Sequence, residues 1–97
     1  MKKQHLYKVN IEHLKNADGS VPEDSSLAFE FSSHDELFTI IEKLKARTDI
    51  GPAKAAPLTL GIKLFGGLML ANKNDDLFVS LFPHFSAFMK KIKQKTH

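Results

Sequence analysis

The sequence predicts an α+β protein, a two-stranded antiparallel hairpin followed by three main helices with short helical segments between them. Three observations carry this expectation. Apolar and polar residues alternate over positions 6–14 and again over 27–32. From residue 34 onward apolar residues recur at helical spacing. The length of 97 residues leaves room for a single domain, 1–97, and little more.

In the first strand, 6–14, Tyr7, Val9 and Ile11 fall on one face, with Lys8, Asn10 and Glu12 on the other. Asn16-Ala17-Asp18-Gly19-Ser20 is a turn cluster, and Val21-Pro22-Glu23-Asp24 extends the loop. In the second strand, 27–32, Leu27, Phe29 and Phe31 alternate with Ala28, Glu30 and Ser32. A hairpin alone is marginal in water, so its apolar face must lie on helices or meet its copy in another chain. Open strand edges offer a second route to a homodimer.

Ser33-His34-Asp35-Glu36 has the form of a capping box, with Ser33 as the cap of a helix over 34–47. Leu37, Phe38, Ile40, Ile41 and Leu44 give that helix its apolar side. Pro57 is costly inside a helix and well tolerated at its first position, so a short turn over 53–56 and a separate helix over 57–72 are expected. That helix is apolar nearly all round, the pattern of one enclosed by its neighbours. A short helical segment over 76–81 and a last helix over 83–95, begun by Pro83, complete the chain. The expected core comprises Val9, Ile11, Phe29, Phe31, Leu37, Ile41, Leu44, Leu64, Phe65, Leu68, Phe78, Phe85 and Met89.

Composition narrows the chemistry. Without cysteine there is no disulfide, thiolate nucleophile, cysteine-ligated zinc or iron–sulfur cluster. Eight Phe against one Tyr and no Trp favour core filling over hydrogen-bonded recognition. The N-terminal residues lack the apolar run of a secretory signal, and the apolar stretch from Leu58 to Ala71 is shorter than the ~20 residues that cross a bilayer. Both features predict a cytoplasmic protein with no membrane span. The net charge of +3 is concentrated at the C-terminal end, where Lys90, Lys91, Lys93 and Lys95 occur without an acid.

Candidate sites are few. Gly61-Ile62-Lys63-Leu64-Phe65-Gly66-Gly67 lacks the Lys-Ser/Thr pair that a phosphate loop needs, and it lies in a helix, where close packing explains the glycines better. His5, His13, His34, His84 and His97 form no helical ligand pair. On an extended strand His5 and His13 stand about 26 Å apart. The carboxylate pairs Glu23/Asp24, Asp35/Glu36 and Asp75/Asp76 fall where capping and solvation account for them. No catalytic, cofactor or metal residue is assigned. The only binding candidate is the polyanion patch of Lys90, Lys91, Lys93 and Lys95, for which a solvated helix end is the favoured account. A helix-turn-helix is excluded, because the helix placed to read DNA is too apolar for a groove.

The segments Phe29-Glu30-Phe31, His34-Asp35-Glu36-Leu37-Phe38, Leu60-Gly61-Ile62-Lys63-Leu64-Phe65-Gly66 and Phe85-Ser86-Ala87-Phe88-Met89-Lys90-Lys91 resemble the small bacterial domain-of-unknown-function family 3861. The resemblance spans nearly the whole chain. It implies a bacterial, cytoplasmic protein and assigns no activity, ligand or catalytic position. The function expected from all this is a non-catalytic protein-interaction or regulatory module, as a homodimer through strand edges or the hairpin face. The alternatives are a nucleic-acid-associated protein acting through the C-terminal lysines, and a small-molecule binder or enzyme whose site forms only in three dimensions.

Overall fold

The computed structural model of the chain describes residues 3–23 and 25–94. Its elements are β1 (His5–Glu12), β2 (Ser26–Ser33), α1 (Leu37–Lys45), α2 (Pro52–Ala71), α3 (Asp76–Val79) and α4 (Phe82–Gln94). This is the expected α+β order, a hairpin and then three main helices with α3 as a short connecting turn. The chain divides into two compact units, Met1–Asp35 and Glu36–His97.

In the first unit β1 and β2 pair antiparallel, with Tyr7 opposite Phe31, Val9 opposite Phe29 and Ile11 opposite Leu27. Residues directly opposite share a face, so these six side chains form one apolar surface. Lys8 opposite Glu30 places complementary charges on the other face. β1 ends at Glu12 rather than at residue 14, although His13 N–H still donates to Ser25 carbonyl at 3.0 Å. The loop beyond is closed by Asn16 N–H to Ser20 carbonyl at 2.8 Å and Gly19 N–H to Asn16 carbonyl at 2.9 Å. Gly19 sits at φ +91°, a conformation that side chains rarely adopt. At the root of the hairpin the Tyr7 and Phe31 rings stack, with centroids 5.6 Å apart.

In the second unit α1 begins three residues later than its capping box suggests. Ser33 is the last residue of β2, and its hydroxyl accepts from Asp35 N–H at 3.1 Å, closing a turn instead of capping a helix. Glu36 is the cap: its carboxylate accepts from Phe38 N–H at 2.7 Å and from Thr39 hydroxyl at 3.0 Å. The helix stops at Lys45, which leaves Arg47 in the following loop. There the guanidinium donates twice to Asp49, at 3.0 and 2.7 Å, and reaches the Ile92 carbonyl on α4 at 2.8 Å.

The expected break before Pro57 does not occur. Gly51, at φ +81°, caps a continuous helix that starts with Pro52 and carries Pro57 inside it. Ala55 and Thr59, one turn apart across the proline, are both buried. Their packing holds the backbone helical despite the N–H that proline lacks. By length and composition α2 is therefore sufficient to cross a membrane, which corrects the length argument drawn from Leu58 to Ala71; the core helix of a soluble protein meets the same test.

Nor is α2 enclosed on all sides. Its buried residues are Ala55, Thr59, Gly66 and Met69, on one face, and α1 packs against the helix. Leu68 and Leu70 remain 61% and 56% exposed. At Gly66 the helix meets Phe85 of α4: a Cβ there would lie 3.0 and 3.3 Å from the ring carbons Cζ and Cε2. The same ring meets Phe65 edge-on, with centroids 6.0 Å apart. Of the expected core, Leu37 and Leu44 are buried; Val9, Phe31, Ile41, Leu64, Phe78, Phe85 and Met89 are half-buried; Ile11, Phe29, Phe65 and Leu68 are exposed. Ala55 and Met69 are buried members that the expected core omits.

Gly61 and Gly67 face open space, so Gly61→Ala and Gly67→Ala should each stabilise by up to about 1 kcal/mol in urea unfolding. Gly66→Ala should destabilise, because its methyl group must displace a ring already held by Phe65. Arg47→Ala should lower stability by about 2 kcal/mol, and Arg47→Lys should not restore it, because an ammonium cannot reproduce the forked contact.

Candidate functional site

The groups able to do chemistry are dispersed. Among the described residues no three of His, Asp and Glu come together in a way that holds a metal ion. His34 Nε2 lies 3.2 Å from the Gln4 amide nitrogen, and His13 Nε2 lies 3.0 Å from the Lys15 carbonyl. Asp18, Glu36 and Asp75 accept from backbone N–H groups, while Glu42 and Asp49 pair with Lys45 and Arg47. Asp75 accepts from Leu77 N–H at 3.2 Å as the cap of α3, and Asp76 stands in its first turn. Asp24 and His97 lie outside the described residues.

Lys90, Lys91 and Lys93 are exposed at the end of α4, where cations complement the helix dipole. Lys95 lies outside the described residues. α4 turns its half-buried face, with Phe82, Phe85, Met89 and Ile92, away from solvent.

Exposed apolar residues occur on both units, and on the hairpin they share a face. Along its apolar face, side chains become more exposed with distance from the root. Tyr7 and Phe31 are half-buried, and so is Val9, whereas Phe29 is 38%, Ile11 54% and Leu27 58% exposed. In the loop beyond, Leu14 and Val21 reach 74% and 81%. A shallow open depression at this end is lined by Ile11, Glu12, His13, Ser25, Ser26 and Leu27. Every charged residue of β1 and β2 (Lys8, Glu12 and Glu30) lies on the opposite face. The sequence alternation marks this face as apolar; it carries no signal that the outer half is left uncovered.

Asp18, in the loop at this end, has a carboxyl held below the ordinary aspartate range. The cause is the Ser20 hydroxyl, donating at 2.6 Å, joined by the Ser20 N–H at 2.9 Å. A depressed folded value means the turn is favoured above the unfolded aspartate pKa and loses that contribution as pH falls through the folded one. An NMR titration should place the Asp18 midpoint below the ordinary value, and Ser20→Ala should move it back up.

The family described as a domain of unknown function with a solved structure, DUF3861, matches residues 5–94. A crystal structure of a protein of unknown function from Pectobacterium atrosepticum SCRI1043 is similar to this chain. The two align with a TM-score of 0.82 and 30% sequence identity, covering 96% of this chain and 100% of that one. No curated protein matches. With the match running from the first strand to the last helix, the chain belongs to the DUF3861 family.

Proposed function

We propose that this chain is a non-catalytic protein-interaction module that docks through the outer half of the hairpin's apolar face. One observation carries the reading: Ile11, Leu27 and Phe29 share one face of the hairpin and stand exposed, and Leu14 and Val21 are exposed in the loop beyond. An apolar strand face left in water is the mark of an interaction surface. The spread of histidines and carboxylates over separate strands, helices and turns argues for binding over catalysis.

The reading includes a soluble, cytoplasmic protein. α1 packs on α2 and Phe85 is seated against Gly66, contacts that suit a packed helix. Lys54 and Lys63 along its length suit it as well. The lysines at the end of α4 have a sufficient role at the helix terminus, and no aromatic ring interleaves with Lys90, Lys91 and Lys93 to stack a base.

Site-specific photo-crosslinking of the full chain in cells tests the docking face. A photoreactive residue replacing Leu27 should give discrete adducts, and one replacing Glu30, on the polar face, should give none. Absence of adducts from position 27, or equal adducts from both positions, would overturn the reading.

A further inference from the structure

Resting on that docking surface, we infer that its occupant is a second copy of this chain, with the two hairpins packed face to face about a two-fold axis. A two-fold contact brings the same patch on both molecules together, so it penalises any patch carrying like charges. This face is free of that conflict, because Lys8, Glu12 and Glu30 all point the other way. A face without charge also gives a charged partner nothing to select.

Shape supports the same occupant: apolar sheet faces stack about 10 Å apart, which lets side chains from the two inner faces interdigitate. Two strands are too few to form a stable sheet with one face bare to water, and a second hairpin supplies the missing layer.

The absence of native cysteine allows a clean test with the purified full chain. Leu27→Cys lies on the apolar face and Ala28→Cys on the opposite one. After mild oxidation Leu27→Cys should form a covalent dimer, while Ala28→Cys should remain single. Sedimentation of the unmodified chain at micromolar concentration should show a dimer. Leu27→Lys should weaken it by roughly 30-fold or more, the scale of a hot-spot residue, with helical circular dichroism retained. Glu30→Lys should leave the dimer intact. A monomeric unmodified chain would overturn the inference, as would a covalent dimer from Ala28→Cys in preference to Leu27→Cys. If the chain is monomeric while position 27 still crosslinks to a different protein in cells, the docking surface stands and only its occupant changes.

Discussion

The helical unit depends on how closely two neighbours approach α2. The buried face of that helix is made of Ala55, Thr59, Gly66 and Met69, three of them small. Small side chains bring helix backbones together, and the gain is contact between the partners' larger groups and the backbone itself. Gly66 is the extreme case, since the Phe85 ring occupies the space a methyl group would take. Arg47 then ties the α1–α2 loop to the end of α4 through the Ile92 carbonyl, with Asp49 balancing its charge. One apolar approach and one polar tie therefore hold the end of α4 in register with the rest of its unit.

The same arrangement explains why so much apolar surface remains outside. A helix with a small-residue contact face carries its large residues elsewhere, and Leu68 and Leu70 accordingly stand in solvent. On the hairpin the cause differs. Register sets Tyr7, Val9, Ile11, Leu27, Phe29 and Phe31 on one side, with Leu6 and Ala28 on the other, and on the first side exposure rises toward the loop. A surface of this kind is stable in water only at low cost to folding and gains when another surface meets it.

Strand periodicity was enough to read the hairpin from the sequence, including which residues share a face: Tyr7, Val9 and Ile11 do lie beside Phe31, Phe29 and Leu27. Helix identity was equally legible; helix boundaries were not. Ser33 and Glu36 both bond the backbone near α1, yet the end of β2 claims Ser33 and the cap shifts to Glu36. Pro57 has a strong local preference to begin a helix, and burial of Ala55 and Thr59 outweighs it. Large apolar residues were expected inside, whereas the close helix contact selects Ala55 and leaves Phe65 40% exposed. Arg47 gave no local signal, because its partner carbonyl lies 45 residues away. For the candidate docking face, alternation reveals which side is apolar but not how far along it the cover extends.

Pro57 also divides α2 energetically. Without an amide proton at that position, the Ala53 carbonyl loses its i+4 donor, and Lys54 and Ala55 N–H close the first turn on the Gly51 carbonyl at 3.3 and 3.2 Å. The Thr59 hydroxyl, donating to the Ala55 carbonyl at 2.7 Å, spans the gap from the far side. The turn that lost a ladder bond to proline is thus the one whose buried side adds a side-chain bond, and the helix runs through it without a break.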